Sequence, residues 1–131
     1  MRSTGATARG RTRIVILHEY TPEWETEFTL LREVYLECLG NSAMAIEHVG
    51  STSIPGIKAK PIIDIDIVIR DYCVFLETAG KLVSLGYSHN GDQGILHREA
   101  FKRMDEFRPH SQPQRRWINH HLYVAPSLVK S

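Results

Sequence analysis

The length and charge of the chain narrow the classes of protein to which it can belong. Its 131 residues fit one domain, and 42% hydrophobic with 24% charged residues is the composition of an ordinary soluble core. A net charge of +1 gives no overall attraction to nucleic acid or acidic membranes, so we expect no nucleic-acid partner. No run is long and apolar enough to cross a bilayer, so we expect no membrane partner either.

The first segment, Met1–Arg13, is rich in glycine, threonine, alanine and arginine and has no hydrophobic periodicity. It predicts a disordered basic tail, residues 1–13, before a domain of residues 14–131. It also lacks the apolar stretch of a secretory signal. Cys38 and Cys73 stand in apolar, helix-like patterns and are far apart, which predicts reduced packing residues and neither a disulfide nor a metal site. Together these features predict a cytoplasmic protein.

The next elements are a strand and a helix. Ile14–Leu17 is β-branched and apolar, which predicts a short strand. Thr21 is suited to cap a helix and Pro22 to occupy its first position. Apolar side chains then recur every three or four residues and predict one buried stripe: Trp24, Phe28, Leu31, Tyr35 and Cys38. Gly40 is the predicted end of this helix.

The rest of the chain predicts four more strands and one more helix. The strands are Ala43–Val49, Ile62–Ile69, His97–Arg103 and Trp117–Val124. The helix is capped by Asp71, buries Phe75, Ala79, Leu82 and Val83, and ends at Gly86. Tyr87–Gly94 is predicted to be turn-rich. This order of elements predicts an α+β fold, an α/β sandwich with a mixed β-sheet.

The segment Ile62–Ile69 carries the main chemical signal. Because strand side chains alternate between faces, Asp64 and Asp66 share one face and the isoleucines share the other. Two carboxylates side by side repel each other, and their burial is unfavourable without compensation. Binding of Mg²⁺, which prefers carboxylate oxygens, would resolve the conflict. The alternative is a carboxylate face that is simply exposed to solvent.

The loop before this strand strengthens the metal interpretation. Gly50 allows close approach of a ligand to the backbone, and Ser51 and Ser53 offer hydroxyl groups. Backbone N–H groups in such a turn also bind phosphate oxygens. A glycine–serine turn at one strand end with Asp64 and Asp66 on the next strand is the arrangement needed for a nucleotide and its metal.

These motifs resemble the GrpB-like family of the nucleotidyltransferase superfold. The resemblance rests on Ile46–Gly56 (IEHVGSTSIPG) and Lys60–Asp66 (KPIIDID). It extends to the helix around Trp24 and Phe28 and to weaker matches downstream: Gly86-Tyr87, Gly94-Ile95, Arg98 and His121–Val124. It implies a nucleotidyltransferase-like fold with the helices on one face of the sheet. The resemblance by itself does not establish an activity.

The sequence departs from the family and superfold patterns in two ways. Catalytic members of the superfold place a third carboxylate on a neighbouring strand, but the late strand here offers His120, His121 and Tyr123. Tyr123 replaces the second histidine of the family's His-x-His pattern. Glu47 and Glu99 are the candidate substitutes for the third acid. The family also continues with a further helical segment, so the stop at Ser131 leaves a natural short form, a truncation and a fragment completed by a partner as alternatives.

Several other polar residues are candidate site residues. Lys60 and Arg98 could neutralise a phosphate, or be a solvated lysine and a surface ion-pair arginine. His48 could contact a ligand or be a structural histidine, and His121 would join Asp64 if their strands are neighbours. Arg115, Arg116 and Trp117 form a small basic and aromatic patch, for which a loop leading into a strand is the simpler explanation.

The leading functional hypothesis is therefore a Mg²⁺-dependent nucleotidyltransferase-like enzyme acting on an unidentified acceptor. In it Asp64 and Asp66 hold the metal, and Gly50 and Ser51 anchor phosphate oxygens. The first alternative is a regulatory module that binds a nucleotide or phosphorylated metabolite without turnover. The second is a fragment that needs a partner to complete its fold. The sequence leaves association as a homo-oligomer open.

Overall fold

The computed structural model describes residues 16–91, 97–105, 108 and 115–127. In chain order, its helices and strands are α1 (Pro22–Leu39), β1 (Ala43–Val49), β2 (Ile63–Ile69), α2 (Phe75–Ser84), β3 (Tyr87–His89), β4 (Glu99–Arg103) and β5 (His120–Pro126). No helix among these residues is long and apolar enough to cross a bilayer.

The strands form one mixed sheet in the order β1-β2-β5-β4-β3. β2 pairs in parallel with β5, and the remaining pairs are antiparallel. β2 therefore has a hydrogen-bonded neighbour on each side, which satisfies its backbone within the sheet. This confirms the predicted mixed sheet.

The core lies between the helices and one face of the sheet. The four isoleucines of β2 have no solvent exposure: Ile63, Ile65, Ile67 and Ile69. The buried stripe of α1 packs in the same cluster, with Trp24, Phe28, Leu31, Tyr35 and Leu39 all below 10% exposure. Each such side chain contributes roughly 1.5–3 kcal/mol by leaving water. The other sheet face, called here the open face, carries Asp64 and Asp66.

The boundaries of α1 follow the predicted capping residues. The Thr21 hydroxyl accepts a hydrogen bond from the Glu23 amide at 3.2 Å, and Pro22 occupies the first turn. Gly40, with φ 53°, ends the helix. Cys38, the predicted last member of the buried stripe, is only partly buried against the core, and the fully buried Leu39 takes that position.

The predicted strand Ile14–Leu17 is wrong over its described part. Ile16 and Leu17 are 65% and 55% exposed and belong to no strand. The chain is held only one residue later, where His18 forms an isolated antiparallel bridge with Ala59. A single bridge offers no ladder that would shield two apolar side chains. Ile14, Val15 and the predicted tail lie outside the described residues.

The second helix differs from its prediction in the role of its capping residue and in one of its buried residues. Asp71 does act as a cap, since its carboxylate accepts a hydrogen bond from the Cys73 amide at 2.9 Å, but it caps a 3₁₀ turn over Tyr72–Val74. Cys73 is exposed on that turn, so it is not a packing residue. Val83 is 54% exposed because adjacent helix positions point about 100° apart. The buried position falls to Leu82, with Thr78 one turn before it.

The predicted turn over Tyr87–Gly94 contains a strand instead. Tyr87–His89 pairs with β4 because Tyr87 is buried in the core and aligned with Arg103. The two late strands are shorter or shifted relative to their predictions, beginning at Glu99 and His120. Both segments have irregular backbone before they pair. Gly94 and Ile95 lie outside the described residues.

Candidate functional site

The two carboxylates of β2 lie together on the open face, as the alternation predicted. Asp64 and Asp66 have side-chain exposures of 33% and 25%, between the fully buried isoleucines. Partial exposure lets water and ligands reach both groups while the sheet fixes their backbone. The spacing of two residues therefore places two oxygen donors side by side at one end of the interior strand β2.

The glycine–serine turn is packed directly against Asp64. β1 ends at Val49, which is aligned with Asp64, so Gly50 follows at the same sheet edge. Gly50 has φ 77° and ψ −171°, a conformation nearly restricted to glycine. A Cβ atom at Gly50 would stand 2.6 Å from Asp64 Oδ2. Glycine is therefore required here both by the backbone and by the approach of the carboxylate.

Within this turn the hydroxyl groups have different roles. The Ser53 hydroxyl donates to the Gly50 carbonyl oxygen at 2.6 Å, so it stabilises the turn itself. Thr52 is buried and bonds His48 Nε2 at 2.9 Å. Ser51 is exposed at the start of the turn, next to Gly50. Ser51 is thus the hydroxyl most accessible to a ligand.

His48 lies on the helix side of the sheet and away from the carboxylates. Its side chain is 5% exposed, stacks on Phe28 with ring centres 5.1 Å apart, and has Nδ1 3.3 Å from Glu25 of α1. Of the two sequence interpretations, the structure gives it the structural role. Through Thr52, it fastens the glycine–serine turn to α1.

Each carboxylate on β2 already has a protein cation or proton donor. Asp64 Oδ1 lies 3.0 Å from His121 Nδ1, which confirms the predicted meeting of these two residues on neighbouring strands. Asp66 Oδ1 accepts a hydrogen bond from Arg98 Nη2 at 2.8 Å. The Arg98 guanidinium is also stacked 3.7 Å above the Tyr123 ring. The repulsion between the carboxylates is therefore offset by side chains from the β4 and β5 region.

The two candidates for a third carboxylate point to opposite faces. Glu47 is aligned with Asp66 across the β1–β2 pair and is exposed, so it shares the open face. Glu99 is aligned with buried Val124, and its carboxylate lies 2.6 Å from His89 Nε2. Glu99 is thereby removed from the site. Glu47 is the acid that the sheet places beside Asp66.

The donor set on the open face suits a hard cation in part. Asp64 and Asp66 supply carboxylate oxygens, but among the described residues no group of three histidine, cysteine, aspartate or glutamate side chains is arranged to hold a metal ion. Mg²⁺ commonly binds through one or two carboxylates and completes its shell with water and substrate phosphates. The residues present fit that mode of binding. Lys60 is exposed just before β2.

A cleft of about 810 Å³ adjoins this site between the diverging ends of β4 and β5. It begins at His121 and Tyr123 and continues past Lys102, Met104 and Asn119. Because β4 runs antiparallel to β5, these residues lie at the same sheet end as Gly50 and Asp64. The cleft thus lies next to the site through His121 and Tyr123, while Asp64 and Asp66 themselves are not among its lining residues.

A buried hydrogen-bonded row behind the site was not predicted from the sequence. The Tyr35 and Tyr87 hydroxyls are 2.6 Å apart, and the Tyr87 hydroxyl is 2.7 Å from His120 Nε2. His120 Nδ1 lies 2.8 Å from the Ile118 carbonyl oxygen, so Nδ1 carries the proton and Nε2 accepts from Tyr87. Burial lowers the pKa of His120 to about 4 against the opposing effect of the Ile118 carbonyl, and nearby Arg103 and His121 lower it further.

The predicted basic and aromatic patch does not present an aromatic surface. Trp117 is only 7% exposed and belongs to the hydrophobic core, while Arg115 and Arg116 are exposed. The indole is packed in the core, so its ring face is not available for stacking with a nucleic-acid base. This supports the simpler explanation of that segment as a loop leading into β5.

Comparison with known proteins identifies relatives of this chain. The family model described as GrpB protein matches residues 14–129. A UPF0157 protein of Halalkalibacterium halodurans is 42% identical over 74 residues, which is 56% of this chain and 38% of that protein. The chain thus matches little more than a third of the length of that curated relative.

Solved structures show the same fold. The conserved protein GrpB from Enterococcus faecalis superimposes with a TM-score of 0.66 and 25% identity, covering 85% of this chain and 61% of that chain. Cid1 in complex with the UTP analogue UMPNPP gives a TM-score of 0.53 and 11% identity, covering 84% of this chain and 32% of Cid1. At that identity the second likeness shows the fold alone.

Proposed function

We propose that this chain, which belongs to the GrpB family, binds a nucleoside triphosphate or another phosphorylated small molecule together with Mg²⁺. The observation that carries the proposal is the contact between two motifs. The glycine–serine turn packs against Asp64 so closely that a Cβ atom at Gly50 would lie 2.6 Å from a carboxylate oxygen. With a phosphate bound at the turn and a metal bound at Asp64, one ligand would contact both motifs.

Asp64 and Asp66 are the residues that would hold Mg²⁺, with Glu47 on the adjacent strand as the acid nearest to Asp66 in register. When bound, the metal would offset the charge of phosphate oxygens. The exposed Ser51 hydroxyl would bind a phosphate oxygen. Both contacts would lie at the same end of the sheet as the cleft beside β5.

Nucleotidyl transfer is the reaction that this arrangement would support. An acceptor hydroxyl or phosphate in the cleft would attack the α-phosphorus, and pyrophosphate would leave. Cid1, which shares the fold, was solved with a UTP analogue, so nucleoside triphosphates are the first ligands to test. A binding module without turnover is the second candidate, and it is favoured by a specific observation: β5 places Tyr123, which is not an acid, opposite Asp66.

A thermal-shift experiment tests the proposal. Mg²⁺ with a nucleoside triphosphate should raise the melting temperature, and replacing Asp64 and Asp66 together with asparagine should abolish the rise. A matched control is the double replacement of Glu33 and Glu37 with glutamine, because both are exposed on α1, away from the sheet. That control should keep the full shift.

Two results would refute or narrow the proposal. No shift in the parent protein with any of the four ribonucleoside triphosphates would refute nucleotide binding. A clear shift without pyrophosphate release over a panel of hydroxyl and phosphate acceptors would leave the binding module and exclude transfer to those acceptors.

A further inference from the structure

Both carboxylates of the open face are already bonded to side chains of the protein. Asp66 is hydrogen-bonded to Arg98 at 2.8 Å, and Asp64 is 3.0 Å from His121. The position that a cation would take beside Asp66 is therefore occupied by a guanidinium group. Any divalent cation that binds Asp66 has to compete with a charge that the protein itself supplies.

Arg98 is held over Asp66 by a specific platform. Tyr123 of β5 is aligned with Asp66 of β2, and its ring lies 3.7 Å from the guanidinium carbon. A cation above a tyrosine ring is attracted by the negative face of the ring. Stacking on the Tyr123 ring thus positions the guanidinium group above β5, and the hydrogen bond to Asp66 orients its N–H groups toward β2.

The backbone before Arg98 contributes to the same placement. His97 has φ 65°, an uncommon conformation for a residue with a side chain, and its Nδ1 lies 3.2 Å from the Tyr72 hydroxyl. This turn brings Arg98 from the start of β4 toward β2. The Arg98 side chain remains 29% exposed and its partner Asp66 25% exposed, so the pair is accessible to a ligand.

From these contacts we infer that Arg98 is an exchangeable counter-ion, which neutralises Asp66 in the empty site and moves to a phosphate when a divalent cation takes Asp66. The inference rests on the proposed function, since it assumes a metal–phosphate ligand. A guanidinium group binds carboxylate and phosphate oxygens with the same paired N–H donors. One residue therefore serves both states, since its guanidinium group pairs with the Asp66 carboxylate in the empty site and with a phosphate oxygen in the occupied site.

The exchange makes the binding of metal and phosphate mutually dependent. A metal alone displaces Arg98 from Asp66 and gives it no new partner, so binding is weak. A metal that brings a triphosphate supplies that partner. The ligand class is accordingly a metal–polyphosphate complex, and neither free Mg²⁺ nor a phosphate without metal should bind well.

Replacing Arg98 with glutamine should change the two affinities in opposite directions. With Mn²⁺ as a paramagnetic substitute for Mg²⁺, the variant should bind Mn²⁺ alone at least about threefold more tightly, because a competing partly exposed ion pair is gone. It should bind Mn²⁺ with a ribonucleoside triphosphate about 10- to 100-fold more weakly, because a charged hydrogen bond to phosphate is lost. Both constants are measured by electron paramagnetic resonance of free Mn²⁺ and by calorimetry.

Three further variants act as controls. Arg70→Gln removes an arginine from an exposed pair with Asp71 at the other end of β2 and should leave both affinities unchanged. Arg98→Lys keeps the charge and should bind Mn²⁺ alone like the parent. Tyr123→Leu removes the platform and should shift both affinities in the direction of Arg98→Gln, by a smaller factor. Circular dichroism checks that each variant is folded.

The outcomes separate the inference from the function on which it rests. If the parent protein binds no Mn²⁺–triphosphate complex, nucleotide binding is refuted, and the exchange role of Arg98 is refuted with it. If the parent binds the complex but Arg98→Gln weakens Mn²⁺ binding or leaves binding of the complex intact, the exchange role of Arg98 is wrong and the proposed function stands. Opposite changes in the two affinities support the exchange.

Discussion

Replacing Gly50 with alanine tests the contact between the glycine–serine turn and Asp64. The backbone at φ 77° and ψ −171° is a region in which a side chain introduces strain of about 1–3 kcal/mol. The new Cβ atom would also stand 2.6 Å from Asp64 Oδ2, so the carboxylate has to turn away. Forcing that side chain from its rotamer adds about 0.5–1.5 kcal/mol, and the expected total is about 1.5–4.5 kcal/mol of lost stability.

Two other glycines separate strain from collision. Gly56 has φ 88° with no atom within 4 Å of the position that a Cβ atom would take, so Gly56→Ala should lose only the strain contribution, about 1–2 kcal/mol. Gly80 lies inside α2 with open space around it, so Gly80→Ala should gain about 0.5–1 kcal/mol. The assay is urea unfolding followed by circular dichroism, with equal slopes required for a valid comparison.

A double variant isolates the contact with Asp64. Truncating Asp64 to alanine removes the atom that the new Cβ would meet, so Gly50→Ala should be less destabilising in that background by about 1 kcal/mol. If Gly50→Ala is no worse than Gly56→Ala, or if the truncation of Asp64 changes nothing, the turn and the carboxylate are not in close contact.

The buried row behind the site yields the remaining predictions. The pKa of His120 falls from its usual 6.5 to about 4 on folding, so the unfolded chain takes up a proton first as the pH falls. This shift contributes about 3 kcal/mol to the free energy of unfolding above pH 6.5. That contribution should be lost as the pH falls from 6.5 to 4. Urea titrations at several pH values measure this loss. If a His120→Gln variant loses the same stability between pH 6.5 and 4 as the parent, the loss does not come from His120. Tyr87→Phe should be more destabilising than Tyr35→Phe by about 1–3 kcal/mol, because it leaves both the Tyr35 hydroxyl and His120 Nε2 without a partner. Equal losses in the two variants would show that Tyr87 is not the central member.

Local sequence patterns were sufficient for the elements with strong periodicity. The alternation in β2 placed Asp64 and Asp66 on one face, and the three- and four-residue spacing of α1 selected its buried stripe. The same patterns were insufficient where apolar and turn-forming residues compete. Val83 and Leu82 are equally apolar, and Tyr87–His89 is followed by asparagine and glycine, so only packing decides which side chain is buried.

The sequence by itself determined the family resemblance, the interior strand β2 and the residues at the glycine–serine turn, because these depend on neighbours within a few positions. Only the tertiary structure decided which way the side chains of His48 and Glu99 point. It also decided the pairing of Arg98 with Asp66, which are 32 residues apart in sequence. Strand order and register decide which side chains share a face, and the parallel pairing of β2 with β5 joins segments that are distant in sequence. The residues of the site can therefore be recognised from the sequence, whereas the pairing of its carboxylates with Arg98 and His121 follows only from the folded sheet.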